Sequence, residues 1–430
     1  MVVEGIRADH TSVYGYPSMT TPRLEAMAHD GVVFEAAYSS SPASAASLAS
    51  IITGRFPPEH GAFLRPVLDG SVVTLAEAFK EAGYATHLVT SEPSMTSESG
   101  FQQGFEGVET VDPFDVDEPD GGATQMTRRA TAWMREGWDG SRPFFLMLVY
   151  ASTQLPFSPP EDLRSRFQEL DETPDQVAAA TEYWTPFARR FSAGELDLSS
   201  REMRILAGLY DAEIAHADRE VGGVISELRE QGLFERTLVV VTSDRGEDLG
   251  EAHRLADPSS LRESNLRVPL LMSFPGRLNA GTRVGDLFQD VDLAPTICDL
   301  LEVPRPATIT PGRFSYAATG LQERREFAVS VALGSLPGGV TELRMSIRDR
   351  GHRYELSPAG PVALYDLTAD PTANLNLIEG SPEISRRLHE ALGRWDSSLE
   401  PLPGKGKPLP GKAASSPAAG AGPVAGPSAP

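Results

Sequence analysis

The sequence predicts an α/β fold, a mostly parallel sheet sandwiched by helices, with a small antiparallel α+β subdomain after it. Short apolar runs alternate with helical periodicity through about the first 300 residues, which is typical of βαβ units. Past roughly residue 320, short alternating segments replace this pattern. A chain of 430 residues also exceeds the usual size of one hydrophobic core, so a large domain with a smaller companion is expected.

Within the α/β part, predicted helices and strands follow one another along the chain. Residues 74–83 form a short helix that ends at a glycine, and residues 84–91 form the next strand. Residues 143–152 are another apolar run of strand length. Between 202 and 232, apolar residues recur every three to five positions, which indicates one long amphipathic helix. The continuous apolar run at 238–244 predicts a strand buried on both faces.

The change in pattern along the chain suggests three regions. Residues 1–315 form the α/β domain, with a surface insertion at about 160–200 that is polar and lacks periodicity. Residues 316–396 form the antiparallel subdomain, in which EFAVSVAL, ELRMSIRD, HRYELS and VALYDL are strands and PEISRRLHEALGRW is a closing helix. Residues 397–430 are rich in Pro, Ala and Gly and predict a disordered tail.

Composition limits the classes of partner. The formal charge of −22 disfavours nucleic acid, anionic membranes and heavily sulfated polymers by long-range repulsion, although a locally basic pocket could bind a small anion. Cys298, the one cysteine, lies in an apolar stretch, and we therefore expect it to be a buried core residue. No apolar run approaches the roughly 20 residues needed to span a bilayer, so we expect a soluble protein. The sequence does not indicate a compartment or an oligomeric state.

Residues that close strands are the natural candidates for chemistry, because ligands of open α/β sheets bind at the carboxyl ends of the strands. The segment TLVVVTSDRGEDLGE (237–251) closes a predicted buried strand with Asp244 and Arg245. An opening segment, EGIRADHTSVYGYPSMTTPRLEAMAHDGVVFEAAY, and a later TGRFPPEHG surround a serine-rich stretch. Further matching segments follow in order: YDAEIAHADREVG, LRVPLLMSFPG, DLFQDVDLAPTICDLLEVP and LYDLTADPTANLNL.

In content, spacing and order these segments resemble the sulfatases and their phosphonate- and phosphodiester-cleaving relatives in the alkaline phosphatase superfamily. The resemblance runs from residue 1 to about residue 396. It implies a sulfatase-like fold and hydrolysis of a small sulfate or phosphate ester. It also implies a divalent cation such as Ca²⁺ or Mn²⁺, held by Asp side chains at two strand ends, which polarises the ester. The nucleophile of the family is formylglycine, or in some relatives a Thr or Ser, and basic residues surround the anion.

Five residues of this sequence lie at or near functional positions of the family. Glu4 replaces the first metal Asp with a longer acid, and Asp244 remains as the second candidate metal ligand. Ser44 falls at the nucleophile position, Arg245 is the candidate anion-binding residue, and His253 is the candidate for a displaced catalytic base or acid. A structural role for Ser44, as an ordinary hydroxyl or a helix N-cap, competes with the catalytic one.

The remaining functional positions depart from the family pattern. The Pro and the Arg or His after the nucleophile are Ala46 and Leu48, so formylglycine is not expected. The His next to Asp244 is Arg245, which cannot coordinate a metal. Where the family carries His, Asp and His in the strand and loop that match PFFLMLVYASTQLPFSPP, this sequence has Val149, Ser152 and Gln154, and the family's later basic residue corresponds to Asp257 or Pro258.

These losses leave three hypotheses for function. The first is a sulfatase-like protein with weak or no hydrolase activity, and no cofactor is then required. The second is an active metal-dependent sulfate or phosphate ester hydrolase with a rebuilt site of Glu4, Ser44, Asp244 and His253. The third is a pseudoenzyme that binds an anion or a partner through Arg245.

Two interpretations of the Asp-Arg pair remain open. In one, the Arg245 guanidinium inserts among Glu4, Asp244 and other acids and supplies the charge of the missing cation. In the other, Arg245 points to solvent and Asp244 caps the next helix.

The amino terminus raises a separate question, because only Met1, Val2 and Val3 precede Glu4 where relatives have a longer strand. The segment MVVEGIRADH shows no export signal, and a further upstream segment is expected.

Overall fold

The computed structural model describes residues 1–115, 120–168, 173, 175–176, 185–309, 314–316, 324–335 and 341–400. Part of the predicted insertion and residues 401–430 of the predicted tail lie outside the described residues. The domain boundaries predicted from the sequence remain predictions, although the last helix runs past the predicted boundary at 396 to Ser398.

An eight-stranded sheet forms the centre of the larger part, in the order β4-β3-β5-β1-β6-β7-β2-β8. All neighbours pair in parallel except where β7 lies antiparallel to β6 and to β2. The predicted mostly parallel sheet is therefore confirmed. Its strands are β1 Val2–Val3, β2 Val32–Tyr38, β3 Ala85–Thr90, β4 Gly107–Thr110, β5 Phe144–Tyr150, β6 Val239–Thr242, β7 Leu270–Ser273 and β8 Thr282–Gln289.

Helices cover both faces of this sheet. The helices in chain order are α1 Pro22–His29, α2 Ser44–Thr53, α3 Pro57–His60, α4 Leu75–Glu81, α5 Ala123–Ala132, α6 Glu161–Arg164, α7 Thr185–Ser192, α8 Ser200–Glu230, α9 Glu263–Leu266, α10 Leu293–Leu300 and α11 Pro382–Ser398. Apolar residues of α1, α5 and α8 form the core on one face, and those of α2, α4 and α10 form it on the other. Cys298 is buried in the second of these cores, as predicted.

The long helix α8 confirms the amphipathic pattern predicted over 202–232. It begins at a complete capping box, in which the Ser199 side chain accepts from Glu202 N and the Glu202 side chain accepts from Ser199 N. Such a reciprocal cap satisfies backbone donors that a helix start otherwise leaves unpaired. None of the described helices is both long enough and apolar enough to cross a membrane.

A separate four-stranded antiparallel sheet follows, in the order β12-β11-β10-β9. Its strands are β9 Ala328–Ser335, β10 Thr341–Arg348, β11 His352–Ser357 and β12 Gly360–Asp366. Helix α11 packs against it through Leu388, Ala391 and Leu392. The predicted small antiparallel α+β subdomain is confirmed. The subdomain is recognisable in the sequence because successive side chains of a strand point to opposite faces of the sheet. One face packs on α11 and is apolar, so apolar residues recur at alternate positions.

The opening strand is short. β1 consists of Val2 and Val3, which pair with Val149 and Tyr150 of β5, and Val2 also pairs with Thr242 of β6. This central position places the residue after β1 between the ends of two other strands.

Candidate functional site at the strand ends

The carboxyl ends of β5, β1 and β6 meet at one edge of the sheet and carry the candidate site. Glu4 follows β1, Asp244 follows β6, and Gln154 belongs to the loop after β5. Because these three strands are adjacent and parallel, residues more than 200 positions apart in the chain converge there. Ser44 opens helix α2 and reaches the same place.

Arg245 is the centre of the contacts at this edge. Its Nε donates to Ser44 Oγ at 3.1 Å, and its Nη1 donates to Glu247 Oε2 at 2.8 Å and to Gly246 O at 2.9 Å. The Arg245 side chain is 12% exposed and that of Glu247 is 1% exposed. Arg245 therefore points into the protein, which contradicts the interpretation in which it points to solvent.

Asp244 is fully buried beside this arginine. Its Oδ1 accepts from Gly5 N at 3.1 Å, so the carboxylate holds the chain after β1 and does not cap a helix. Its Oδ2 makes no hydrogen bond of normal geometry to the described residues, although the Ser44 hydroxyl lies close enough to stabilise the charged carboxylate. Burial raises the pKa of Asp244, and Arg245 opposes this rise.

Glu4 is also fully buried, and one of its carboxylate oxygens accepts from Gln154 Nε2. The other oxygen, Oε1, makes no hydrogen bond of normal geometry to the described residues, although the Glu92 carboxyl lies close to the Glu4 carboxyl. Burial raises the pKa of Glu4 well above its ordinary value, and the carboxyl groups of Glu92 and Asp244 raise it further. Arg245 acts in the opposite direction. The carboxyl groups of Glu4 and Asp244 thus both lie near one guanidinium.

The carboxyl groups near Arg245 favour the charged form of its guanidinium. Burial alone would lower its pKa, but Glu247, Asp244 and Glu4 outweigh burial and raise it. A buried cation with acidic partners is stabilised by Coulomb attraction in a medium of low polarity. The guanidinium therefore supplies a permanent positive charge among the strand-end carboxylates.

The side chains at this edge do not fit a divalent cation well. Glu4 and Asp244 supply carboxylate oxygens, but Arg245 cannot coordinate a metal and places its charge beside both acids. Across the described residues, no three His, Cys, Asp or Glu side chains are arranged as a metal-binding group. The predicted role of Glu4 and Asp244 as metal ligands stays a prediction that this donor set does not favour.

Ser44 is held at the start of α2, one position inside the helix. Ala43 is the N-cap residue, so the alternative in which Ser44 caps the helix is wrong. Ser47, three residues further along α2, donates to the Asp244 carbonyl oxygen at 2.6 Å and contacts Asp290 Oδ2 at 3.0 Å. This contact ties α2 to the turn that carries Arg245. The catalytic role predicted for Ser44 stays a prediction.

His253 lies against a different element. Its ring stacks on Phe191 of α7 with 4.1 Å between ring centroids, and its Nε2 is 3.8 Å from Asp197 Oδ1. Its side chain is 41% exposed. The structure thus brings together Glu4, Ser44, Asp244 and Arg245, while the contacts of His253 are with α7 and the segment after it.

Three site residues were not predicted from the sequence. Glu247 pairs with Arg245, Glu92 after β3 interacts with Glu4, and Gly5 donates to Asp244. Gly5 has φ +76°, and a Cβ there would lie 2.9 Å from the carbonyl oxygen and from Oγ1 of Thr153. Glu247 had a usable signal, because it lies two residues after Arg245 in the same strand-end motif. The roles of Glu92 and Gly5 depend on tertiary contacts.

Comparison with known proteins agrees with this architecture. The family model described as Sulfatase matches residues 1–303, which is more than half of the chain. The chain belongs to the sulfatase family. Among its relatives are an ulvan-active sulfatase of Formosa agariphila, 25% identical over 90% of this chain and 78% of that protein, and the multifunctional alkaline phosphatase superfamily protein PehA of Trinickia caryophylli, 26% identical over 84% and 86%.

Solved structures of similar fold include two phosphonate monoester hydrolases. The enzyme of Agrobacterium radiobacter superposes with a TM-score of 0.76 at 20% identity and covers 93% of this chain and 95% of its own. That of Silicibacter pomeroyi gives a TM-score of 0.74 at 20% identity, with the same coverage. These likenesses establish the sulfatase-like fold.

The positions in β5 and in the loop after it at which the resemblance implies charged residues carry neutral side chains here. Val149 is buried in β5 and pairs with Val2, and Gln154 donates to Glu4. Ser152 is buried, and its hydroxyl has no partner among the described residues. None of these three side chains can carry the charge of the acid and histidines that the resemblance implies there.

Proposed function

We propose that this sulfatase-family protein has weak or no ester hydrolase activity, because the Arg245 guanidinium takes the place of the divalent cation. The observation that carries the proposal is the position of this guanidinium, which contacts Ser44 and Glu247 and interacts electrostatically with Asp244 and Glu4. An internal cation satisfies the electrostatic need of the strand-end acids without a bound ion.

An arginine cannot replace the catalytic functions of a metal ion. A metal can lower the pKa of a bound nucleophile and accept an ester oxygen directly, whereas a guanidinium only donates hydrogen bonds. Ser44 accepts a hydrogen bond from Arg245 Nε and lies near the Asp244 carboxylate, but no histidine that could act as its general base contacts it among the described residues. A positioned general base contributes about 10²–10⁴-fold, so its loss alone lowers the rate strongly.

A second function, binding of a small anion, is favoured by one specific feature of Arg245. Its Nε and Nη1 are hydrogen-bonded, but Nη2 makes no hydrogen bond to the described residues, and the side chain keeps part of its surface open. A free guanidinium edge next to the Ser44 hydroxyl can donate to a sulfate or phosphate oxygen. The nearby acids limit the affinity, because they already neutralise the charge.

Hydrolysis of 4-nitrophenyl sulfate and 4-nitrophenyl phosphonate, with added Ca²⁺ or Mn²⁺ and with EDTA, tests the proposal. We expect turnover that is close to the uncatalysed rate, unchanged by EDTA and unchanged in Ser44→Ala. Metal-dependent turnover that disappears in both Ser44→Ala and Asp244→Asn would overturn it and establish the rebuilt site. The same variants plus His253→Ala would then show whether His253 contributes.

Anion binding is tested separately by titrating the protein with inorganic sulfate and phosphate in a calorimeter. The second candidate function predicts saturable binding in the presence of EDTA that is lost in Arg245→Ala and retained in Arg277→Ala. Arg277 is a suitable control because it is 57% exposed and pairs with the exposed Glu302. Equal affinity in the wild-type protein and Arg245→Ala would exclude the second candidate.

A further inference from the structure

Asp290, the first residue after β8, packs against helix α2 and is 5% exposed. Its Oδ2 accepts hydrogen bonds from the Ser40 backbone N–H and from the Ser40 hydroxyl, both at 2.8 Å. The Ser47 hydroxyl lies 3.0 Å from the same oxygen, and Val291 N donates to Oδ1 at 2.7 Å. Ser40 comes four residues before Ser44, and Ser47 comes three residues after it. One carboxylate therefore holds the chain on both sides of Ser44.

Ser47 connects this carboxylate to the turn that carries Arg245. Its hydroxyl donates to the Asp244 carbonyl oxygen at 2.6 Å, so it lies between Asp290 and the residue before Arg245. The Ser44 hydroxyl accepts from Arg245 Nε at 3.1 Å, one turn earlier on α2. The start of α2 and the turn with the guanidinium are thus both attached to Asp290.

A buried chain of hydrogen bonds directs the Ser40 hydroxyl at Asp290. Burial lowers the pKa of His60 to about 3, so its ring is neutral. Its Nδ1 accepts from Ala62 N at 3.0 Å, so the ring proton is on Nε2, which donates to Ser50 Oγ at 3.1 Å. Ser50 Oγ lies 2.8 Å from Ser40 Oγ and can donate to it, which leaves the Ser40 proton for Asp290. Each donor in this chain therefore points toward the carboxylate.

The backbone before α2 has a second support that does not involve Asp290. Val331 N of β9 donates to Ser40 O at 2.8 Å, and the Ser330 hydroxyl donates to Ser39 O at 2.6 Å. The antiparallel sheet thus holds this segment by its backbone. Loss of the Asp290 carboxylate should therefore loosen the start of α2 without detaching the segment before it.

We propose that Asp290 is a positioning residue of the site at the strand ends, which keeps the Ser44 hydroxyl against the Arg245 guanidinium. This role rests on the proposed function, in which that guanidinium takes the place of the cation. Asp290 makes no hydrogen bond to Ser44 or Arg245 among the described residues, and it acts through Ser40 and Ser47. Without it, the Ser44 hydroxyl and the free edge of the guanidinium would no longer face one anion together.

A thiol introduced by Ser44→Cys reports this geometry, because a neighbouring guanidinium stabilises a thiolate and lowers the pKa of the thiol. Ser44 is partly exposed, so iodoacetamide can reach the thiol. The native Cys298 is fully buried, and burial raises its pKa to about 12, so its reaction is suppressed. The alkylation rate as a function of pH gives the pKa of the introduced thiol, and the plateau of the rate at high pH reports its accessibility separately.

We expect Arg245→Ala, added to Ser44→Cys, to raise this pKa by about 1 or more, since it removes the cation. Asp290→Ala should raise it by at least about half as much. Asp290→Asn removes the same charge but keeps an acceptor oxygen, so its thiol pKa should stay closer to that of Ser44→Cys alone. Asp218→Ala is the matched control, because Asp218 is also a buried carboxylate that accepts from two backbone N–H groups, at the start of α1. It should lower stability and leave the thiol pKa unchanged.

A thiol pKa that rises in Arg245→Ala but not in Asp290→Ala would overturn the role of Asp290 alone. A pKa that Arg245→Ala leaves unchanged would overturn both this role and the proposed function, because the guanidinium would not face Ser44. An equal rise in Asp218→Ala would mean general loosening of the fold and would also overturn the role of Asp290. If Asp290→Ala does not fold, Ser47→Ala replaces it, and an unchanged thiol pKa there contradicts the proposal equally.

Discussion

Arg245 and Glu247 form a buried ion pair with an Nη1 to Oε2 distance of 2.8 Å at the end of β6. The pair lies beside Asp244 and Glu4, whose carboxylates both act on the same guanidinium. One guanidinium thus interacts electrostatically with three acidic side chains, Glu247, Asp244 and Glu4. The stability of this edge of the sheet should therefore depend on Arg245 more than on any exposed arginine.

Removing this cation should destabilise the fold strongly. Breaking a buried ion pair by truncating one partner costs about 3–5 kcal/mol, because the remaining charge loses its compensation. We expect Arg245→Ala to lower the free energy of unfolding by an amount in this range in urea titrations. Arg277→Ala is the matched control and should cost about 1 kcal/mol or less, since its ion pair is exposed. A similar cost for both substitutions would contradict the role given to Arg245.

The chain after β1 should tolerate no side chain at Gly5. An added Cβ there would lie 2.9 Å from two Thr153 atoms, in a backbone conformation with φ +76°. Gly15 separates the two effects, because its φ is +91° but no atom lies within 4 Å of an added Cβ. We expect Gly15→Ala to cost about 1–2 kcal/mol from conformation alone, and Gly5→Ala to cost clearly more. Equal costs in thermal unfolding would mean that the contact with Thr153 is not restrictive.

The buried Glu213 of α8 should make stability depend on pH. Burial raises the pKa of Glu213 to about 8, although Ser158 N donates to its carboxylate. The folded state then keeps a proton that the unfolded state loses above the ordinary Glu pKa. The contribution of Glu213 to the free energy of unfolding is therefore largest below the ordinary Glu pKa, and it is lost as pH rises toward about 8.

Glu213→Gln tests this dependence, because glutamine keeps the shape and cannot ionise. Between pH 5 and pH 8, we expect the free energy of unfolding of the wild-type protein to fall more than that of Glu213→Gln. The difference between the two decreases should be a few kcal/mol, since one unit of pKa shift corresponds to about 1.4 kcal/mol. Glu230→Gln, on the exposed end of the same helix, should behave like the wild type. Parallel pH profiles for Glu213→Gln and the wild type would contradict the raised pKa.

Hydrogen bonds behind the site should also matter. Ser47 Oγ connects the Asp244 carbonyl oxygen, at 2.6 Å, to Asp290 Oδ2, at 3.0 Å. Ser47→Ala leaves these buried acceptors with one donor fewer, and we expect a loss of about 1–3 kcal/mol in unfolding free energy. Ser71→Ala, an exposed serine, should change stability by a few tenths of a kcal/mol. A loss for Ser47→Ala no larger than that control would show that α2 and the Arg245 turn are not coupled through Ser47.

The fold was largely predictable because its signals are local. The apolar period of α8 and the alternate apolar residues of β10, Leu343, Met345 and Ile347, which lie in the core with α11, follow from which face of each element packs, and both patterns appear in the sequence. The burial of Cys298 also followed from its apolar neighbours. Family segments fixed the order of the elements, which periodicity alone does not give.

The site was less predictable because its contacts join distant residues. The sequence suggested equally that Arg245 is inserted among acids or points to solvent, and the burial of Arg245 and its contact with Ser44, 201 positions away, decide between them. The N-cap position of α2 was missed because Ala43, which offers no capping side chain, takes it. The contacts of His253 with Phe191 depend on a segment that has no recognisable motif.

The central claim is that the Arg245 guanidinium replaces the divalent cation, and the content of bound metal tests it most directly. The protein is equilibrated with Ca²⁺ and Mn²⁺, dialysed, and measured for retained metal per chain by mass spectrometry of the elements, with Asp244→Asn as the comparison. The account predicts no retained ion above the dialysis buffer in either protein. Close to one ion per chain in the wild type, lost in Asp244→Asn, would contradict it.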